Sequence, residues 1–565
     1  MIILSIYPWT NTSSAALSIN GKIVSASPEE RFNRVKGSSD FPINAINWCL
    51  KENKLNWKNI DAVAIAWNPA KNINSASSRW INNMRWRGEF LSNVPAQIMK
   101  MINYESDNHL SIFFDKQKIF FLNHHECHAA SAFFASPFKN SDILTIDGHG
   151  ENETCFMGYG RSGKIIKKNS IPYPHSVGLF YGTFTDYLGF KPDSDEWKTM
   201  ALSSFSKKKN IYDKKISKIF HLTKNGIELD LTYFNYFFFD AQRNFYNDKF
   251  IGLFGKSRKI NDRYEKRHYE IAGAMQRAFE KQVFHLLELT KNQGINSGNI
   301  VLAGGAAMNC VFNGLLEKNK MYKNNYIPPW PDDLGVSIGA AYLLDNKLRK
   351  NKRKIEKIRS SFLGPKFSSN FIENEIRKYK LNYFKPKKLS ESIAKKISDG
   401  KLIGWFNGRM EFGQRALGNR SILADPRNKK IKDIINKAIK YRENFRPFAP
   451  AVLEEEAHRY FDIKRGTKIE FMEKAVLVKN LWRDKIPGVT HVDGTARVQT
   501  VSKKINPDFY NLIYEFGKIT KVPILINTSL NLNGEPIVCS PKDAIRTFFS
   551  CGLDILVLGK FVIEK

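Results

Sequence analysis

No two cysteines in this 565-residue chain are spaced as CxxC, and the six present, at 49, 127, 155, 310, 539 and 551, form no regular framework. That excludes a disulfide scaffold and reads as reduced core thiols of a cytoplasmic protein. No stretch reaches the ~18 uninterrupted apolar residues of a membrane-crossing helix. The opening, Met1–Trp9, has no basic region before its apolar run and no small-residue cleavage site after it. It reads as a first strand, not a signal peptide. Solenoid repeats and low-complexity tracts are absent.

Acidic residues are also scarce: 55 Asp and Glu stand against 88 Lys and Arg, a formal charge of +33. Clustered cations neutralise nucleic-acid phosphates. The lysine runs here, Lys207–Lys209, Lys350–Lys357 and Lys385–Lys388, fall in expected loops or linkers without the aromatic–basic interleaving of a single-strand binder. The charge is therefore read as a Lys- and Asn-rich solvated surface. Nucleic acid and membrane are left out of the expected partners. Acidic small molecules such as ATP would still be attracted.

What is present is globular: 42% hydrophobic and 13% aromatic residues, in a length that suggests two to four domains. Ile2–Tyr7 and Ala15–Ile19 read as strands, and Asn20-Gly21 is a two-residue hairpin signal leading into Lys22–Ala26. A second strand–turn–strand unit runs Ile143–Ile146, Asp147–Glu151, Thr154–Tyr159. Between them His124–Ala135 is helical in spacing, as is Arg267–Lys291. The strand Ile300–Ala303, the turn Gly304-Gly305 and a helix from near Ala306 follow, then a helix Gly335–Leu344 with Asp332 and Asp333 at its start. Asn346–Lys357 reads as a linker. Beyond it lie strands at Leu402–Phe406, Ala475–Val478, Ile524–Ile526 and Ile555–Leu558, and helices around Lys429–Lys440 and Asp543–Phe549. Two domains are expected, 1–350 and 358–565.

His124 and His128 stand at i and i+4, stacked on one helical face, which suits two ligands of one divalent metal. Two histidines hold a metal poorly. Asp147, at a strand end, and Asp333, at a helix start, are the candidates that complete the set, and His/His/Asp/Asp suits iron(II), manganese or zinc. Gly148 and Gly150, in the loop that ends at Glu151, and Gly304-Gly305 before a helix, with Asn309 one turn on, are glycine turns able to approach phosphate or adenosine. The order of hairpin, HxxxH helix, DGxGE hairpin and strand–GG–helix resembles the actin/Hsp70/sugar-kinase ATP fold. In the second half, Gly408–Ser421 and Lys440–Pro450 interleave cations with Gly, Pro and Phe, which points to an anionic substrate rather than a solvated surface.

Together these segments resemble the carbamoyltransferases of the nodulation-factor, cephamycin and tobramycin type. The likeness runs through Ser13–Leu17, Glu29–Phe32, His124–Ala132, Asp147–Glu151, Pro174–Tyr181, Glu196–Met200, Ala303–Gly305 and Asp333–Ala341. It continues through Gly413–Ser421, Arg446–Pro450, Arg497–Val501, Asn527–Asn531 and Gly534–Val538. The resemblance implies an α/β first domain similar to the universal tRNA threonylcarbamoyltransferase and an α+β, YrdC-like second domain. In the second, ATP (with Mg2+) and carbamoyl phosphate would give carbamoyl-adenylate and pyrophosphate, cradled by Arg415, Arg420, Lys440, Arg442, Arg446, Arg497, Asn527 and Ser529. In the first, His124, His128, Asp147 and Asp333 would hold iron(II). Gly148, Gly150, Glu151, Gly304, Gly305 and Asn309 would meet the adenylate, and Lys198 its phosphate or the metal-site carboxylates. The acceptor would be a hydroxyl of a sugar or natural product. The residues leave a homo-oligomer open.

One position departs from the family. A His-Asp pair commonly precedes the Ser/Ala-rich segment, its histidine a candidate base for the acceptor; here Asn11-Thr12 stands there. An amide takes no proton at neutral pH. His149 or a carboxylate replaces it, the acceptor needs less activation, or transfer is impaired; His149 is the leading candidate. Two rival functions share these motifs. One is tRNA-type threonylcarbamoyl transfer. The other is a non-catalytic nucleotide- or nucleic-acid-binding relative.

Overall fold

The computed structural model describes residues 1–8, 12–71, 118–206, 208–237, 244–349, 360–440 and 445–565. Asn11 and Arg442, both expected at a site, lie outside the described residues. The chain forms two compact units that are not contiguous in sequence. The first comprises 1–26, 39–309 and 319–358; the second comprises 27–38, 310–318 and 359–565.

The first unit holds two five-stranded sheets. In one, β1 (Ile2–Tyr7) pairs antiparallel with β2 (Ser14–Ile19) and parallel with β4 (Ala62–Ile65), which is parallel to β5 (Lys118–Phe121). With β3 (Lys22–Pro28) the order is β3-β2-β1-β4-β5. The Asn20-Gly21 turn has φ of 54° and 81°, the doubly positive geometry of a type I′ hairpin, as its sequence predicts.

The other sheet repeats this plan. β6 (Asn140–Ile146) pairs antiparallel with β7 (Glu153–Arg161), β7 antiparallel with β8 (Lys164–Pro172), and β6 parallel with β11 (Asn299–Ala303), which is parallel to β12 (Asn324–Tyr326). Its order, β8-β7-β6-β11-β12, is the first sheet's order counted within its own half. A small hairpin, β9 (Phe220–Thr223) and β10 (Gly226–Leu229), lies between. The amphipathic helix is longer than its spacing suggests, Lys266–Gln293.

Two helices carry the site and cross closely. A Cβ on Gly339, in the helix Leu334–Leu348, would lie 1.8 Å from the Cys127 carbonyl oxygen of the helix His124–Phe133. Only glycine allows that approach. Ser14 Oγ donates to Ser337 Oγ (2.9 Å) and the Leu334 carbonyl (3.2 Å), and Ser5 Oγ to the Ser337 carbonyl, pinning the second helix to β1 and β2.

Asn346, expected to open a linker, is helical. The helix runs on to Leu348, and the buried Asn346 amide donates to the Gly163 carbonyl at 2.8 Å. The helix expected near Ala306 is one 3-10 turn, Gly305–Met308, followed by a helix from Cys310.

The second unit is built on a seven-stranded mixed sheet, order β18-β15-β19-β14-β13-β20-β21: Gln499–Val501, Ala449–Leu453, Ile524–Ser529, Arg420–Ala424, Ile403–Phe406, Ile555–Leu558 and Phe561–Glu564. A two-stranded piece pairs β16 (Ala475–Leu477) with β17 (Thr495–Arg497). Alternate strand residues feed opposite cores. Trp405 and Leu423 pack with Phe509 and Phe516, while Phe406, Ile422 and Ala424 pack with Tyr460 and Phe548. Both faces are covered, so the central strands read as continuous apolar runs. The helix expected over Lys429–Lys440 is α-helical at Ile431–Ile435 and then a π-helical turn, Asn436–Lys440, a distortion common at functional sites.

No described helix is long and apolar enough to cross a membrane, and all six cysteines are buried thiols.

Candidate functional site

The helix His124–Phe133 starts three residues after β5. Its first N–H is taken by the buried Glu151 carboxylate, which accepts from His124 N at 2.9 Å and Asn68 N at 2.8 Å. Glu151, expected at the adenylate, is thus seen holding the end of the histidine helix. From that helix His124 and His128 turn inward, ring centroids 4.6 Å apart, while His125 bonds Thr145 Oγ1 at 2.6 Å.

Asp147 follows β6, and Asp333 precedes the helix from Leu334. The donor atoms of His124, His128, Asp147 and Asp333 all lie within 4.8 Å of one another. His128 Nε2 is 2.7 Å from Asp147 Oδ2 and 3.4 Å from Asp333 Oδ1; His124 Nε2 is 3.5 Å and 3.3 Å from the same atoms.

Each carboxylate gives one oxygen to the histidines and the other to the protein. Asp147 Oδ1 accepts the N–H groups of Gly148 (2.8 Å) and Gly305 (3.1 Å), and Asp333 Oδ2 accepts the Tyr7 hydroxyl (2.9 Å). Tyr7 and Trp67 also pack on the His124 ring, at 5.4 and 5.3 Å. Neither aromatic carries a sequence signal, since a Tyr ending an apolar strand reads as core.

The glycine loops differ from expectation in one respect. The N–H of Gly150 goes to the Glu153 carbonyl (2.7 Å) and that of Gly304 to the Pro331 carbonyl (2.6 Å). With Gly148 and Gly305 bound to Asp147, all four donors are used internally. These turns shape the Asp147 carboxylate rather than offer N–H groups to a phosphate. Gly304 is required for space and conformation: its φ is 89°, and a Cβ would lie 2.1 Å from the Ile146 carbonyl oxygen.

Asn309 is buried in a reciprocal amide pair with Gln276, at 3.0 and 3.2 Å, and Gln276 also receives the Tyr181 hydroxyl. His149 is half-buried, its ring 6.4 Å from Trp67 and 6.3 Å from Tyr173. Lys198 pairs with Asp195 at 3.0 Å and lies over the Trp197 and Phe190 rings.

In the second unit Lys440, at the end of the π-helical turn, is buried. Its ammonium donates to the Ser529 carbonyl (2.6 Å), the Asn531 carbonyl (2.9 Å) and Asn531 Oδ1 (2.7 Å), with Ser529 Oγ at 3.4 Å. Asn527 donates to Gln499 Oε1 (2.7 Å) and the Ala416 carbonyl (3.2 Å), and Gln499 to the Leu417 carbonyl (2.9 Å), which fixes the Gly413–Leu417 loop. Arg415, Arg446 and Arg497 are half-buried. Burial raises the Cys310 thiol pKa, and the charges of Arg497 and Arg415 pull against it.

Arg420, expected at the phosphates, has its guanidinium turned inward. It is fully buried, stacked 3.6 Å from the Phe406 ring centroid, and donates to the carbonyls of Asn407, Asn419 and Pro365 at 2.8–3.1 Å. Burial lowers its pKa to about 10. Its two Nη groups end on carbonyl oxygens and hold the turn.

The family model described as "Carbamoyltransferase N-terminus" matches residues 3–342, and the one described as "Carbamoyltransferase C-terminus" matches 394–565. The chain belongs to the carbamoyltransferase family. Among its relatives, an uncharacterised protein of Synechocystis sp. is 35% identical, over 100% of this chain and 96% of its own. Nodulation protein NolNO of Sinorhizobium fredii is 34% identical, over 98% of this chain and 78% of its own. Among solved structures, T. kodakarensis HypF aligns over 62% of this chain and 48% of its own at 14% identity and a TM-score of 0.33.

As a carbamoyltransferase, the enzyme has in its first unit a donor set chemically fit for a divalent metal. Two imidazole nitrogens and two carboxylate oxygens converge, each oriented from behind. Without a metal the cluster holds protons. Burial opposes charge on His124, but the charge of Asp333 and the hydrogen bonds that the ring donates to Asp147 and Asp333 outweigh it and hold its pKa up at about 10. Burial and the His124 charge oppose charge on His128, whose pKa is nevertheless raised by its hydrogen bonds to Asp147 and Asp333 and by the Asp147 charge. Burial likewise opposes charge on Asp147, and the histidines hold its carboxyl well below the usual range.

At pH 7, below the raised value, His124 is protonated and must lose its proton to ligate. Metal titrations in buffers of different ionisation enthalpy should therefore show about one proton or more released per metal. Affinity should fall roughly tenfold per pH unit on acidification. Proton-independent binding would contradict this protonation pattern. For Tyr7→Phe, which removes the hydroxyl behind Asp333, metal affinity should fall about ten- to a hundredfold with the fold intact, read by competition with a chelator dye.

Proposed function

We propose that this enzyme is an ATP- and carbamoyl-phosphate-dependent O-carbamoyltransferase that works in two steps. In the second unit, carbamoyl phosphate, ATP and one water give carbamoyl-adenylate, pyrophosphate and phosphate. In the first, an acceptor hydroxyl attacks the carbamoyl carbon, AMP leaves, and the hydroxyl proton passes to a base. The observation that carries the reading is the convergence of His124, His128, Asp147 and Asp333 in a chain of this family.

Adenylation is needed because carbamate is a poor electrophile, whereas AMP is a good leaving group. His124, His128, Asp147 and Asp333 would hold the divalent metal, for which iron(II) is the proposed identity. When bound it supplies Lewis acidity toward the phosphate or carbonyl oxygen. The Asn309–Gln276 pair and the Gly304 turn would bound the adenosine. His149, on the loop that starts at Asp147, would take the acceptor proton in place of the histidine that Asn11 displaces. In the second unit Lys440, Arg415, Arg446 and Arg497, with Ser529, would hold the phosphates by charge-assisted hydrogen bonds, with Mg2+ accompanying ATP.

The doubled five-stranded topology supports the actin/Hsp70/sugar-kinase reading of the first unit. A YrdC-like second unit remains part of the proposal. The acceptor proposed is a hydroxyl of a sugar or natural product, met in the cytoplasm. The test is to incubate the protein with ATP and labelled carbamoyl phosphate and to screen such acceptors. ATP-dependent label on a hydroxyl is expected; label on tRNA as threonylcarbamoyl-adenosine, or none on any acceptor, overturns the reading.

A further inference from the structure

The segment Ser27–Ser38 belongs to the second unit, although nearly 400 residues separate it from Gly413. It is a tight knot: a helical turn, Glu30–Asn33, Glu30 Oε2 accepting the Gly37 N–H at 2.8 Å, and Asn33 donating to Ser38 Oγ at 2.7 Å. Phe32 packs on Met410, Ala416, Ile537 and Cys539. The two arginines reach two different loops. Arg31, buried and paired with Glu30, donates from Nη2 to the Gly413 carbonyl at 3.3 Å. Arg34 donates to the carbonyls of Ile537 (2.7 Å) and Pro536 (2.8 Å), with Nε 3.7 Å from Asp543.

Gly413 opens the loop that carries Arg415. Pro536 and Ile537 follow Ser529 and Asn531, whose oxygens hold the Lys440 ammonium, and the two stretches are joined where Asn531 Nδ2 donates to the Glu535 carbonyl at 2.6 Å. One short segment therefore clasps the loop that bears Arg415 and the loop tied to the Ser529–Asn531 stretch. Arg34 does so from the left-handed region, φ 62°, where glycine is the easier residue.

We infer that Arg34, with Arg31, is a positioning residue of the activation step, holding the Gly413–Ser421 and Gly534–Val538 loops in register. The role rests on the two-step reading above, so it is tested by a readout that does not need activity as well as by rate. In the full-length Arg34→Ala protein, amide hydrogen exchange in the two loops should quicken at least tenfold, with β13 and β20 unchanged. Carbamoyl-phosphate-dependent pyrophosphate release should fall at least tenfold in kcat/KM, metal content should be unchanged, and guanidinium should restore part of the rate. Arg34→Lys keeps the charge but cannot span both carbonyls in the same way, so it should fold and show an intermediate loss. Unchanged loop exchange in both variants overturns the inference. So does a rate loss without loop loosening, or one that guanidinium cannot restore. A wild-type protein that releases no pyrophosphate would instead overturn the two-step reading, leaving loop exchange to decide the clasp.

Discussion

Asp147→Asn is expected to lose metal and carbamoyl transfer together while still forming pyrophosphate from ATP when carbamoyl phosphate is supplied. The carboxylate sits at the centre of the cluster. Its Oδ2 is 2.7 Å from His128 Nε2, and its Oδ1 is clamped by the Gly148 and Gly305 N–H groups. An amide can accept those N–H groups with its oxygen, so the loop should keep its shape. It then turns an NH2 toward the histidines, which cannot ligate a cation and supplies no charge. Losing Lewis-acid stabilisation worth several kcal/mol should lower transfer by about 10³-fold or more. Metal content by mass spectrometry, the transfer rate and pyrophosphate release separate the steps. Equal loss of both would mean that the units do not divide the chemistry as proposed.

The mirror-image result is expected for Lys440→Met. Its ammonium gathers the Ser529 and Asn531 oxygens in the second unit, where it would also face the phosphates. Removing a buried cation from a phosphoryl site should cost roughly 10²–10³-fold in pyrophosphate release. Metal content should not change, and carbamoyl-adenylate added from outside should still be transferred at the wild-type rate. The substitution leaves two carbonyls without their donor, so some stability should be lost as well. Thermal unfolding measured alongside shows that the variant is folded at the assay temperature. A variant with normal pyrophosphate release would remove Lys440 from the site.

Much of this was legible in residues with local signals. Asn20-Gly21 announces its hairpin because a type I′ turn tolerates few other pairs. His124 and His128 announce a shared face because helical spacing stacks i and i+4. What stayed hidden depends on long-range packing. The two five-stranded sheets share one order, which the pairing of distant strands sets and no local run of residues announces. Tyr7 looks like any strand-end aromatic until Asp333, 326 residues away, is placed beside its hydroxyl. Arg420 looks like its neighbour Arg415, and only the carbonyls of Asn407, Asn419 and Pro365 show that one faces inward. The Glu29–Phe32 motif reads as part of the first domain by position, whereas Phe32 and Arg34 pack into the second unit.

The division of labour between the units is tested most directly by removing the metal from the wild-type protein with a chelator, dialysing the chelator away, and supplying ATP with Mg2+ and carbamoyl phosphate without acceptor. The account predicts that carbamoyl-adenylate accumulates on the enzyme, seen by mass spectrometry, with pyrophosphate in equal amount. Metal and a competent acceptor should then discharge it to AMP. Absence of the adenylate and of pyrophosphate, with carbamoyl transfer proceeding straight from carbamoyl phosphate, would contradict it.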